Sequence, residues 1–137
     1  MAWAYLPGYG RQPAKYRNEK VRTKDGETYD SRKEFRRAKE LELLERAGEI
    51  SNLRRQVKYI LIPAQRGPEE IGPRGGRRPG PLLERECSYV ADFCYFDKSG
   101  RFHCEDVKGY RGGQAYNAFV IKRKLMLFIY GIRVEEV

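Results

Sequence analysis

Apolar residues recur at helical spacing from Phe35 through Ala38, Leu41 and Leu44 to Ala47, which predicts a helix whose stripe packs on a sheet. Its ends are marked. Ser31 followed three residues later by Glu34 is a capping-box pattern, and Gly48 supplies a stop. Leu53 to Ile62, LRRQVKYILI, reads as a strand with Gln56 and Lys58 as polar interruptions, closed by Pro63. Tyr89 to Phe96 and Arg101 to Lys108 are rich in Val, Phe, Tyr and Cys and predict two further strands, joined across Asp97-Lys98-Ser99-Gly100. Tyr110-Arg111-Gly112-Gly113 then breaks the chain. Gln114 to Tyr130 is a largely apolar helix (Ala118, Phe119, Ile121, Leu125, Phe128) with Lys122, Arg123 and Lys124 on its polar side. Gly131 ends it, and Ile132 to Val137 supply a last strand. Upstream, Val21 to Thr23 and Glu27 to Tyr29 flank Asp25-Gly26, the signature of a small hairpin. The core order is helix, strand, strand, strand, helix, strand: an α/β (α+β) fold with a central sheet flanked by helices.

The hairpin Ser88 to Gly109, SYVADFCYFDKSGRFHCEDVKG, carries acids where a sheet does not otherwise want them. With Lys98, Ser99 and Gly100 as a three-residue loop and Gly100 left-handed, Asp97 pairs with Arg101 and Asp92 stands opposite Asp106. Period-2 alternation then places Asp92, Cys94 and Phe96 on the same face as Phe102, Cys104, Asp106 and Lys108. Facing carboxylates repel. A hard divalent cation removes the conflict, with the Val107 carbonyl as a further oxygen ligand and Lys108 beside it to stabilise developing negative charge. A loop of two or four residues would put the two acids on opposite faces, and either acid alone reads equally well as a solvent-facing strand residue. Glu34, one turn before Ala38, points to the sheet side of the first helix and could reach the same end, or could serve only as the capping-box partner of Ser31.

Composition adds a partner class. The 137 residues make one domain, and 28 Lys and Arg against 19 Asp and Glu give a net charge of +9. That balance points to nucleic acid first and an anionic membrane surface second. No apolar run approaches the roughly 18 residues needed to span a bilayer, and MAWAYLPGYG lacks the layout of a signal peptide, so a cytoplasmic protein is expected. Residues 1–30 read as an aromatic and basic extension whose side chains could stack on bases and track phosphates, or pack on the domain. Residues 31–137 form the domain proper. Gln65 to Glu86, with Arg74, Arg77 and Arg78 among Gly and Pro, reads as a mobile basic loop. From Lys108 through Arg133 there are only basic charges, Arg111, Lys122, Arg123 and Lys124 among them, a stretch suited to a phosphate backbone or to an exposed helical face. Cys87, Cys94 and Cys104 form no CxxC and read as buried thiols, and His103 as a strand residue on the opposite face.

At these residues the sequence resembles the PD-(D/E)xK nuclease superfamily, whose core has this element order and whose signature is an acid on one strand followed by (D/E)-x-K on the next. Asp92 matches the first acid, Asp106 and Lys108 the pair, and Glu34 the helical Glu of many members; Ala91 stands where the signature has proline. More closely, KYRNEK, YDSRKEFRRAKEL, LLERAGEI, YVADFCYFD, EDVKG and VIKRKL are similar to an uncharacterised family of small phage proteins assigned to that superfamily, over about Lys15 to Val137 apart from the arginine loop. The layout is also similar to that of phage Holliday junction resolving endonucleases. The resemblance implies a restriction-endonuclease-like core and a Mg²⁺-dependent DNA endonuclease, with Mn²⁺ as a substitute. Glu34, Asp92, Asp106 and the Val107 carbonyl would be the metal ligands and Lys108 the catalytic cation. It further implies a homodimer acting on branched or duplex DNA in the host cytoplasm. A DNA- or RNA-binding module that keeps the fold without the chemistry explains the charge equally well.

Overall fold

The computed structural model describes residues 19–137, so the aromatic part of the N-terminal extension (Trp3, Tyr5, Tyr9) lies outside the described residues. The chain opens with the small hairpin, β1 (Val21–Arg22) and β2 (Thr28–Tyr29), turned at the left-handed Gly26 (φ 85°). Helix α1 (Arg32–Arg46) follows, and the Ser31 hydroxyl accepts from the Glu34 amide at 3.1 Å. The reciprocal arm of the cap differs from the expected one: the Glu34 carboxylate accepts from the Asp30 amide at 2.9 Å. Ala38 and Leu41 are buried, whereas Leu44 is exposed, because the helix runs past the sheet in its last turn.

Strand β3 (Ile50–Ile62) leads into β4 (Gln65–Arg66), β5 (Glu70–Ile71), β6 (Arg77–Arg78) and β7 (Leu82–Glu84). The segment expected as a mobile loop is thus a nested ribbon, β4 antiparallel to β7 and β5 to β6. Its glycines permit this. Gly75 takes φ 78°, and a Cβ on Gly80 would lie 2.1 Å from the Gly67 carbonyl oxygen, so the two limbs close only over a residue with no side chain.

Strands β8 (Cys87–Asp97) and β9 (Phe102–Asp106), helix α2 (Gly113–Tyr130) and β10 (Val134–Glu136) complete the fold. The central sheet has four strands in the order β10-β9-β8-β3; β10 runs parallel to β9 and the other neighbours are antiparallel. The fold is therefore mixed α+β with helices flanking a mixed sheet. Two cores result. Ala38 and Leu41 of α1 cover Phe93 and Tyr95, while Phe119 and Met126 of α2 cover Tyr89, Ala91, Cys94 and Cys104. Ile121 and Phe128, expected on the buried stripe of α2, face solvent: an 18-residue helix crossing strands of three to thirteen residues finds sheet beneath only one side. No helix among the described residues is long and apolar enough to cross a membrane.

Candidate active site

The hairpin register is the one that a three-residue loop demands. Gly100 is left-handed (φ 85°), the Asp97 amide donates to the Arg101 carbonyl at 2.9 Å, and Phe96↔Phe102, Cys94↔Cys104 and Phe93↔Glu105 pair in turn. Continued by one step this register would set Asp92 opposite Asp106, but the ladder ends at Phe93↔Glu105. The alternation along the strand, however, does not survive to that point. Tyr89 and Ala91 pack under α2, yet Phe93 and Tyr95 pack under α1, so β8 changes face at Asp92. Strand β3 changes face at the same level: Leu53 belongs to the α1 core, Val57, Tyr59 and Leu61 to the α2 core. The ladder between them pairs Val57 with Ala91 and Arg55 with Phe93 but skips Gln56 and Asp92.

Gln56 explains the interruption. Its φ is 51°, a left-handed conformation that a residue with a Cβ adopts at a cost of order 1–3 kcal/mol. The turn-out aims its side chain along the sheet end: Nε2 donates to Glu34 Oε1 at 3.1 Å and to Asp92 Oδ1 at 3.3 Å. Cys94 and Phe96 consequently do not share a face with Asp92 in the simple way the alternation predicts. Asp92 turns towards Glu34, and Asp106 towards the α2 side.

Asp30, Lys33, Glu34, Asp92, Asp106 and Lys108 are among the residues lining one cavity of about 270 Å³ at this end of the sheet. Asp92 Oδ2 accepts from the Val107 amide at 2.8 Å. Asp106 is buried; its Oδ2 accepts from the Tyr89 hydroxyl at 2.8 Å and its Oδ1 lies 2.7 Å from Lys108 Nζ. The Lys108 ammonium also sits 3.5 Å from the centre of the Phe119 ring. Glu34 is buried and has the Arg55 guanidinium 3.7 Å away, itself stacked on Tyr29. Lys33 closes the other wall, donating to the Lys108 and Val137 carbonyls at 2.6 and 3.0 Å.

Electrostatics single out Asp92. Burial, together with the charges of Asp106 and Glu34, pushes its carboxyl up to about 7, against the pull of the Val107 amide and Lys108. Tyr89 is pushed well above the ordinary tyrosine range, first by burial and then by Asp106, so it stays protonated as a donor.

A carboxyl raised from 3.8 to about 7 resists ionisation in the folded chain only. Below pH 4 both states are protonated; between pH 4 and 7 the unfolded state ionises first, so stability falls as pH rises, by up to about 4 kcal/mol over the window. Thermal melts in EDTA should show this decline for the wild type and a shallower one for Asp92→Asn. Parallel pH profiles for the two proteins would remove the assignment.

Among the described residues no three His, Cys, Asp or Glu groups come together closely enough to hold a metal ion. The reason is visible in the bonds: Asp92, Asp106 and Glu34 each have oxygens tied to a protein donor (Val107 and Gln56, Tyr89 and Lys108, Asp30 and Gln56). The donor set is nevertheless all oxygen, and burial together with the neighbouring charges of Asp106 and Glu34, which raise Asp92, makes it the kind of site that a hard cation relieves.

Of the residues singled out in the sequence, Glu34, Asp92, Asp106, Val107 and Lys108 meet at this cavity. The basic candidates divide. Arg74, Arg77 and Arg78 line a hollow in the ribbon, Arg111, Arg123 and Lys124 line another beside β10, and Lys122 lines neither. Gln56, Lys33 and Tyr89 were missed; a polar residue inside LRRQVKYILI was the one signal for Gln56. His103 stands apart, bridging Asp97 at 2.8 Å and Glu135 at 3.1 Å and stacked on Tyr95, as a strand residue with a structural role.

The fold and site define a small α+β protein with an acid-lined cavity at the end of a mixed sheet. Residues 13–133 match the family described as "Protein of unknown function (DUF1064)", and the chain belongs to that family. No curated protein and no solved structure matches it.

Proposed function

We propose that this protein is a metal-dependent endodeoxyribonuclease with a restriction-endonuclease-like core of the PD-(D/E)xK type. The observation that carries the reading is the meeting of Glu34, Asp92, Asp106 and Lys108 at one cavity, from three separate elements. A site meant only to bind phosphate gains nothing from three acids. Asp92, Asp106, Glu34 and the Val107 carbonyl would hold Mg²⁺ or Mn²⁺, which when bound supplies Lewis-acid polarisation of the phosphoryl group and charge for the leaving oxygen. Lys108 brings a cation within 2.7 Å of Asp106 and is held there by Phe119, so it is positioned to donate to a non-bridging phosphate oxygen as charge builds on it. Asp92, raised to about 7 by burial and by Asp106 and Glu34 when no cation is present, is the acid whose charge a bound cation would stabilise most. Basic residues outside the cavity, in the ribbon and on α2, meet the flanking phosphates. Branched DNA such as a Holliday junction is the substrate class, and a homodimer the working form, that the resemblance favours.

The second reading is a nucleic-acid-binding module without chemistry, and the bonds that tie each acid to a protein donor favour it. Labelled four-way junction, flap, linear duplex and single strand, each incubated with Mg²⁺, Mn²⁺ or EDTA, separate the two. The nuclease reading expects metal-dependent cutting, strongest on the junction. Salt-dependent binding with no cutting of any DNA would establish the module instead.

A further inference from the structure

The basic residues are not spread evenly around the cavity. Arg101, Arg111, Arg123, Lys124 and Arg133 line a hollow of about 800 Å³ along β10, between that edge strand and α2. Five cations face two acids, Glu135 and Glu136. Glu135 is engaged by His103. Glu136 fixes two of the arginines, with Arg111 Nε at 3.7 Å and Arg123 Nη1 at 3.5 Å, while accepting from the Tyr116 hydroxyl at 3.0 Å. Among the described residues Arg101, Lys124 and Arg133 form no ion pair, and all three are exposed. Unpaired cations lying beside arginines that are already aligned hold positive potential along a line.

That line leads to the catalytic end. Glu136 pairs with Asp106, and Arg111 follows the cavity residue Gly109 by two positions, so the hollow begins one strand away from the acids. Its other end is set by Arg101, just before β9, and Arg133, just before β10. The five residues of β9 between them span roughly 15 Å. One strand of duplex advances about 3.4 Å along the axis per phosphate and nearly twice that along its own winding backbone, so the track matches about two to three successive phosphates.

From this we infer that the β10 groove is a phosphate track: it holds the backbone of the DNA strand where it leaves the cavity, and Arg101, Lys124 and Arg133 are its free contacts. The inference rests on the nucleic-acid part of the function proposed above and goes beyond it in assigning the path, in adding Arg101, which neither the signature nor the charge run marks, and in giving Arg133, the last residue of that run, a contact.

The test is binding of a fluorescent 20-base-pair duplex in EDTA over a range of salt, for wild type, for Arg101→Ala/Lys124→Ala/Arg133→Ala, and for Arg36→Ala/Lys39→Ala/Arg46→Ala on the outer face of α1, which loses the same charge. The groove variant should bind at least about ten-fold more weakly and lose 2 to 3 from the magnitude of its log–log salt slope, at about 0.9 per contact. The α1 variant should keep the wild-type slope. An unchanged slope in the groove variant, or equal losses in both, overturns the track. Circular dichroism melts of both variants confirm that folded proteins are compared. Because no cutting is read, a chain that binds through the groove but never cleaves DNA sinks the nuclease reading and leaves the track standing.

Discussion

Asp106→Asn is expected to lower DNA cleavage by on the order of 10³-fold or more while leaving the fold and DNA binding in EDTA intact. The substitution is chosen from the bonds Asp106 makes. An asparagine Oδ1 still accepts from the Tyr89 hydroxyl, which is 2.8 Å away and too deeply buried to find water, so that hydroxyl is not orphaned. What disappears is one negative charge beside Asp92 and the partner of Lys108. Asp106→Ala makes the same functional point less cleanly, because it strands the Tyr89 hydroxyl in the α2 core at about 1–3 kcal/mol. Cleavage is read on the junction and duplex substrates in Mg²⁺, binding by anisotropy in EDTA, and folding by thermal melt. Full activity in a folded Asp106→Asn protein would sink the site assignment, whatever the substrate turns out to be.

The two acids illustrate what was legible before the structure. Their register depended on local turn chemistry, Asp97-Lys98-Ser99-Gly100 with a left-handed glycine, and such chemistry is carried by the residues themselves. The Ser31 cap, the Asp25-Gly26 turn and the Gly131 stop were legible for the same reason. Side-chain direction was not. In β8 Tyr89, Ala91, Phe93 and Tyr95 all hold odd positions, as do Leu53, Val57, Tyr59 and Leu61 in β3, so strict alternation would put each set on one face. The chain divides each run between two cores by turning over at Gln56 and Asp92. A glutamine at φ 51° carries no sequence mark, since such a conformation is imposed by tertiary contacts, here to Glu34 and Asp92. The ribbon was illegible for the opposite reason: its composition lacks a core to bury, and backbone pairing across close-packed glycines holds it instead. The α2 surface was misread because helical spacing identifies an apolar stripe without showing whether a sheet lies beneath it.

Arg37→Ala should cost about 3–5 kcal/mol, the largest stability loss expected of any single charged residue on α1. Glu105, next to Asp106 on β9, is almost completely buried at 1% exposure. Its two oxygens are held by Arg37 Nε at 2.9 Å and Nη2 at 2.6 Å, and Oε1 also accepts from the Tyr95 hydroxyl at 2.5 Å. This bidentate clamp joins α1 to β9, and the same helix carries Glu34 one turn earlier, so the clamp fixes the distance between the helical acid and the strand that bears Asp106. Its effect on stability is asymmetric. Forming the pair returns little beyond the cost of drying both ions, but deleting the guanidinium leaves a carboxylate in the core with only Tyr95 to answer it. A total stability of roughly 5–15 kcal/mol for a domain of this size makes the loss a large fraction of the whole. Urea denaturation followed by tryptophan-independent far-UV circular dichroism measures it. Arg37→Ala/Glu105→Gln should recover much of the loss, because a neutral amide oxygen still accepts from Tyr95 and no charge is left buried. A loss below about 1 kcal/mol in the single variant, or no recovery in the double, would mean that Glu105 is solvated or repartnered and that the α1 to β9 clamp does not set the geometry of the cavity.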